Sequence, residues 1–210
     1  MKILFIHGYQ QNAAIFRRKT ATIRKQLAFA ECVYAEAPHL VGDHEQDEER
    51  TLKGWWKAVE QDGKMRYTGA VESLEYLNRM WAAGDYCGIL GFSQGAAMAN
   101  IFSQQLDPKP QFLISVSGFA PRDESYALAQ TDIPILHVIG DYDKIIVPQI
   151  SMHLAQATSG QAFVPYETSS VAGSSTLLRH PHGHLLPGHA EYRKYLNEWI
   201  LKQIEPKTHM

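Results

Sequence analysis

Cysteine is scarce in this chain, and no hydrophobic run in it is long. Only two cysteines, Cys32 and Cys87, occur in 210 residues. Both fall in strand-like apolar runs, so they read as reduced core residues rather than as a disulfide framework. No stretch approaches the ~20 apolar residues of a membrane-spanning helix. The start, Met1–Ile6, is apolar, but His7-Gly8 ends it too early for a secretory signal. An excess of positive charge is also missing: 20 Lys and Arg stand against 22 Asp and Glu, a formal net charge of −2. With no basic stripe either, nucleic acid is not an expected partner. Internal repeats and low-complexity linkers are absent. What remains is the expectation of a soluble, cytoplasmic protein with one domain over residues 1–210, a length that suits one sizeable core and is short for two.

Short apolar runs alternate with helical patterns along the whole chain. The strand candidates are Lys2–Ile6, Cys32–Ala37, Tyr86–Leu90, Phe112–Ser117, Ile135–Ile139 and Thr176–Arg179. Several are apolar at consecutive positions, as strands are when helices cover both faces of a parallel sheet. Phe16, Thr20, Ile23 and Leu27 mark one helix face, and Ala70, Leu74, Leu77 and Trp81 another. Tyr192, Leu196, Trp199 and Gln203, with Ile200 adjacent, suit a closing helix. This alternation predicts an α/β sandwich with right-handed crossovers.

Two regions break the rhythm. Gly42–Tyr67 begins with an acidic run (Asp43, Glu45, Asp47, Glu48, Glu49), read as a solvated loop or helix face, and then carries Gly54-Trp55-Trp56. Two adjacent large rings cannot both face one core from a regular element. Either one ring packs inward while the other lines a substrate cleft, or both pin the excursion to the body. Ser159–Ser175, rich in serine, glycine and alanine, reads as an irregular surface loop.

The chemistry concentrates at Gly91-Phe92-Ser93-Gln94-Gly95. A serine acts as a nucleophile only when its oxygen is presented openly beside a base and an oxyanion trap. A sharp strand-to-helix turn presents it so, and flanking glycines let the two elements crowd together at the bend. The apolar run before Ser93 and the small residues Ala96–Ala99 after it fit that turn. Two further strand ends supply acid and base candidates. After Ile135–Ile139 comes Gly140-Asp141-Tyr142-Asp143, continuing to Pro148, and after the last strand comes His180-Pro181-His182-Gly183-His184. In open α/β sheets reactive groups collect outside the carboxyl ends of strands.

The roles follow from acid–base chemistry. Ser93 needs a neutral imidazole to take its proton, and that imidazole needs a carboxylate on its other nitrogen. His184 is the expected base and Asp143 the expected acid. Asp141 competes, but Asp after Gly commonly bonds its own backbone in a turn. His180, His182 and His184 would share one face of a regular strand and suit a metal, but Pro181 and Gly183 disfavour such a strand. No carboxylate or cysteine cluster accompanies them, so neither a metal nor any other cofactor is expected. His180 is expected to brace the loop by hydrogen bonding. The oxyanion donors are expected to be the Gln94 N–H, at the positive end of the helix it opens, and the Tyr9 N–H after His7-Gly8. Trp55, Trp56, Phe92 and Phe119 are the candidate substrate contacts.

Taken together these residues resemble the FSH family of serine hydrolases within the α/β-hydrolase superfamily. The resemblance rests on Ile6-His7-Gly8, Gly54-Trp55-Trp56, Tyr67–Leu74 with Gly69 and Ser73, Gly91–Gly95, Phe112–Gly118, Gly140–Pro148 and His180–His184 followed by Pro187. It implies a three-layer fold with a mostly parallel six-stranded sheet and helices on both faces. It also implies Ser93, Asp143 and His184 as nucleophile, acid and base, acting on small-molecule carboxylic esters or thioesters. The sequence departs from the family pattern in having His182-Gly183 where Gly-Gly usually precedes the last histidine, and in a long Gln161–Ser175 segment. The residues favour an ester hydrolase acting through an acyl-enzyme on substrates with a hydrophobic acyl part. An acyl-protein thioesterase or lysophospholipase shares Gly-Phe-Ser-Gln-Gly and is the nearest alternative. A binding protein that keeps the pocket without turnover is the non-enzymatic one.

Overall fold

The computed structural model describes residues 1–42, 51–161 and 169–204. The acidic run Asp43–Glu49 lies outside the described residues. The central sheet has the strand order β10-β11-β9-β8-β7-β1-β2. Here β1 is Lys2–Ile6, β2 Glu31–Ala35, β7 Tyr86–Phe92, β8 Phe112–Val116, β9 Ile135–Gly140, β10 Ser169–Ala172 and β11 Ser175–His180. Six of these strands run parallel, as expected, and β10 adds a seventh, antiparallel to β11, at the edge. Part of the segment expected to be irregular is therefore a hairpin arm, turned at Gly173, whose φ of 58° a side chain would disfavour.

Alternation along the buried strands sends side chains to two apolar layers. From β1, Leu4 and Ile6 join one cluster with Ile89, Leu113 and Ile135, while Ile3 and Phe5 join the other with Leu90, Ile114 and Leu136. Helices α3 (Ala70–Ala82), α4 (Gln94–Gln105) and α5 (Pro148–Ser159) cover the first face. Helices α1 (Ala13–Lys19), α2 (Ala21–Gln26) and α6 (Ala190–Ile204) cover the second. Among the described residues, no helix is long and apolar enough to cross a membrane. Cys32 and Cys87 are free and buried, and burial pushes both thiols up to about 11.

The face marked by Phe16, Thr20, Ile23 and Leu27 is buried at all four positions, but it spans two helices rather than one. The break falls at Thr20, whose hydroxyl donates to the Phe16 carbonyl at 2.8 Å and meets the Tyr34 hydroxyl at 2.6 Å. The excursion after β2 holds more regular structure than its composition suggests. Strands β3 (His39–Leu40) and β4 (Lys53–Gly54) pair, and β5 (Lys57–Gln61) and β6 (Lys64–Thr68) form a second hairpin. Asp62 and Gly63 turn it with φ of 52° and 72°, the Asp-Gly signature of a tight two-residue turn.

Parallel register is what places the site. Ile6 pairs with Gly91, Phe92 with Val116, Val116 with Val138, and Gly140 with His180. The residues that follow these strands, His7, Ser93, Ser117, Asp141 and Pro181, therefore emerge along one edge of the sheet.

Candidate active site

Ser93 sits where β7 gives way to α4 with φ 54° and ψ −118°, a conformation a non-glycine residue adopts only when its surroundings impose it. Those surroundings are legible atom by atom. A β-carbon on Gly95 would lie 2.2 Å from the carbonyl oxygens of both Ile6 and His7. One on Gly91 would lie 2.4 Å from the Gly95 carbonyl oxygen. The two glycines thus let the start of α4 press against β7 and the exit of β1, and the turn at Ser93 follows from that approach. The Ser93 N–H donates to the Val116 carbonyl at 2.9 Å, and the Ser93 carbonyl accepts from Ala96 and Ala97. Gln94 and Gly95, in the first turn of α4, have no intrahelical acceptor for their N–H groups. These donors stand at the positive end of the helix dipole.

The acid and base candidates meet. His184 Nδ1 lies 2.7 Å from Asp143 Oδ2, while Asp143 Oδ1 accepts the N–H groups of Ile145 and Ile146, each at 2.9 Å. Burial works against ionisation of this carboxyl. The hydrogen bonds from His184 and the two backbone donors outweigh it and hold its pKa below the ordinary carboxylate range. A carboxylate at Nδ1 requires the proton there, which leaves Nε2 as the basic nitrogen of the ring. That ring packs on Phe92, the residue before Ser93, with centroids 4.8 Å apart. Asp141 is engaged elsewhere: its Oδ1 accepts from Arg179 Nε at 2.7 Å and pairs with Arg179 Nη2 at 2.6 Å.

The other histidines divide by environment. Among the described residues His180 has no hydrogen-bond partner on either ring nitrogen, so the expected bracing bond is not made, and burial holds its pKa down at about 4. His182 stacks on His189, with centroids 4.7 Å apart and planes 11° apart. No group of three or more His, Cys, Asp or Glu among the described residues is arranged to hold a metal.

The first-strand loop is braced by His7. Its Nε2 accepts the Ala37 N–H at 3.1 Å, so the ring proton is on Nδ1 and donates to the Gly8 carbonyl at 2.8 Å. Burial lowers the pKa of this imidazole and keeps it neutral in that role. A β-carbon on Gly8 would lie 3.0 Å from Phe92, so the loop carrying Tyr9 runs beside the serine turn.

The tryptophan pair is held inward. Trp55 is fully buried, and Trp56 is 3% exposed and stacks on Tyr67 with centroids 4.6 Å apart. Of the two arrangements open in the sequence, the structure has both rings pinning the excursion to the body, because three polar anchors hold Trp55, two by its backbone and one by its indole. The Trp55 N–H donates to Gln94 Oε1 at 2.9 Å, its carbonyl accepts from Ser73 Oγ at 2.6 Å, and its indole N–H donates to the His7 carbonyl at 2.7 Å. Gln94 Nε2 donates in turn to the Trp56 carbonyl at 2.9 Å. Sequence reasoning gave Gln94 only a backbone role and missed this clamp by its side chain. Phe119 is half-buried and meets Trp56 edge-on. Phe92, by contrast, lines a cavity of about 560 Å³ together with His184.

A parallel sheet between helix layers, with a strained serine turn and a carboxylate–imidazole pair at its carboxyl edge, defines an α/β hydrolase. Solved structures agree on the fold. Arabidopsis thaliana SOBER1 has a TM-score of 0.69 at 15% identity, covering 98% of this chain and 99% of that one. Zea mays acyl-protein thioesterase 2 has a TM-score of 0.66 at 15% identity, covering 96% and 93%. The family model described as serine hydrolase (FSH1) matches residues 1–196, and the chain belongs to that family. Esterase OVCA2 of Homo sapiens is 34% identical, over 95% of this chain and 96% of its own length. The chain is a serine hydrolase enzyme of the esterase type.

Proposed function

We propose that Ser93, His184 and Asp143 work as one proton-transfer unit that cleaves carboxylic esters through an acyl-enzyme. The observation that carries this reading is the 2.7 Å contact from Asp143 to His184 Nδ1, at the same sheet edge as the strained Ser93. In this mechanism His184 Nε2 takes the Ser93 proton as Oγ attacks the carbonyl carbon, and Asp143 stabilises the imidazolium that forms. The N–H groups of Gln94 and Tyr9 hold the oxyanion, each worth about 3 kcal/mol in the transition state. His184 then protonates the leaving alcohol, and the same nitrogen later activates water to release the acid and restore Ser93. No metal or cofactor enters these steps.

The substrate is a small-molecule ester with a hydrophobic acyl part. Phe92 beside His184 supports this, and Phe119 and the partly exposed Tyr9 are further candidates for contact with it. With Trp55 and Trp56 buried, their part is to position the first-strand loop and the start of α4. Esters and thioesters use the same machinery. A matched ester and thioester panel of varied acyl length, run beside Ser93→Ala, tests the reading. Loss of turnover in the variant and a preference for longer acyl groups over acetyl are expected; an acetyl preference contradicts the hydrophobic acyl part, and an active Ser93→Ala contradicts the mechanism.

A further inference from the structure

The cavity beside His184 is lined by two unlike sets of residues. Phe16, Phe92 and Leu186 form the apolar set. Lys19 and the stacked pair His182 and His189 form the polar one. Among the described residues no carboxylate lines this space, and Lys19 has no ion pair. Lys19 ends α1 one turn after Phe16, Phe16 stacks on Phe92, and Phe92 packs on His184, so Lys19 stands at the end of this row away from His184. A purely aliphatic acyl group would cover the apolar residues and leave Lys19 facing nothing of complementary charge.

We infer that the substrate carries an anionic group, a carboxylate in the simplest case, at the far end of its apolar segment, and that Lys19 selects for it. The ammonium is a compact charge on a flexible stem, suited to meet an anion at a cavity rim. The imidazoles of His182 and His189, which line the same cavity, add ring N–H donors to its polar lining. Phe92 and Phe16 hold the intervening carbons, while His184 marks the end where the ester lies. Lys19 is then a specificity residue remote from the reacting atoms. The inference rests on the hydrolase reading above, because the anion is measured against the position of the ester.

The test uses p-nitrophenyl half-esters of succinate, glutarate, adipate and suberate. Each is compared with the same compound capped at its free carboxylate as the methyl ester. The readout is the ratio of kcat/KM for the free acid over the capped compound, which cancels differences in the chemical step. In the wild type that ratio exceeds one at the chain length that spans the cavity. Lys19→Gln lowers it about tenfold, mainly through KM, and Lys19→Glu inverts it, as expected for a charge contact that added salt also weakens. A wild-type ratio at or below one at every length, or the same ratio in all three proteins, overturns the inference. Ser93→Ala protein, titrated with adipate monomethyl ester and its diester by calorimetry, separates the two readings. Tighter binding of the monoester there supports the anion site even if the hydrolase mechanism fails. Equal binding of both, with the wild type still hydrolysing esters, leaves the hydrolase reading standing and removes the anion site.

Discussion

At Asp143 two backbone donors and one imidazole converge on a single carboxylate, and each bond has a different consequence. The donors from Ile145 and Ile146 fix where the carboxylate sits, and the bond to His184 fixes which nitrogen of the ring stays basic. Asp143→Asn keeps the size of the group but presents an amide where an acceptor is needed, so the ring loses its enforced tautomer. The proposed mechanism expects kcat to fall by roughly 10³–10⁴-fold with the fold intact, read from steady-state kinetics beside circular dichroism. Asp141→Asn, which loosens Arg179, is expected to change kcat far less. Gly95 is the steric counterpart of this polar site. Gly95→Ala places a methyl group 2.2 Å from two carbonyl oxygens that belong to backbone and cannot swing away. A loss of about 1–3 kcal/mol in denaturant unfolding is expected, with activity reduced because the turn at Ser93 must open to relieve the clash.

Between elements, the side chain of Gln94 does the joining. Its amide bonds the N–H of Trp55 and the carbonyl of Trp56, two groups buried under the excursion. Gln94→Ala strands both groups without water, at a cost of about 2–4 kcal/mol, since each buried unpaired group costs about 1–3. Gln94→Glu keeps the acceptor for Trp55 and loses the donor to Trp56. Hydrogen exchange should show the Gly54–Trp56 segment losing protection in both variants ahead of the sheet. Unchanged protection would mean that the rings alone hold the excursion. This clamp was not legible in the sequence because its partners are backbone atoms nearly forty residues away. The tryptophan pair was ambiguous for the same reason: packing against Tyr67 and Ser73, not local pattern, decides where the rings go. The break at Thr20 was hidden by an apolar period that continues across it, and the edge strand β10 by its polar residues. The β5–β6 hairpin turns at Asp62-Gly63, but its strands are largely exposed and carry no apolar run that would mark them. What the sequence expressed well were the buried strands, whose consecutive apolar residues have no other stable use. Ser93 stands directly after such a strand and Asp143 and His184 in the loops that follow two others, which is what allowed them to be proposed from the sequence.

Across the whole molecule, buried imidazoles tie stability to pH. Burial holds the His137 ring down at about 3 and the His180 ring down at about 4, and lowers that of His7. In the folded protein these rings stay neutral, whereas in the unfolded chain they take up protons below about pH 6.5. The unfolded state therefore binds more protons as pH falls, and stability must fall with it. Their contribution is intact above about pH 6.5 and is lost progressively towards pH 4, by about 1–2 kcal/mol each for His137 and His180 at pH 5. Urea unfolding at pH 7 and pH 5 measures this. His137→Gln should flatten the difference, and an equal slope in wild type and variant would count against a neutral ring at that position.

The sheet's one larger consequence is that it gathers residues ninety positions apart onto a single edge, and covalent labelling reports on that gathering most directly. A fluorophosphonate reacts with a serine only when a neighbouring base has made it nucleophilic. Reaction of the folded wild-type protein, with the adduct located by mass spectrometry, is expected to modify Ser93 alone and to fall at least a hundredfold in His184→Ala. Absence of an adduct on folded protein, modification of a different serine, or equal labelling in His184→Ala would contradict an activated Ser93.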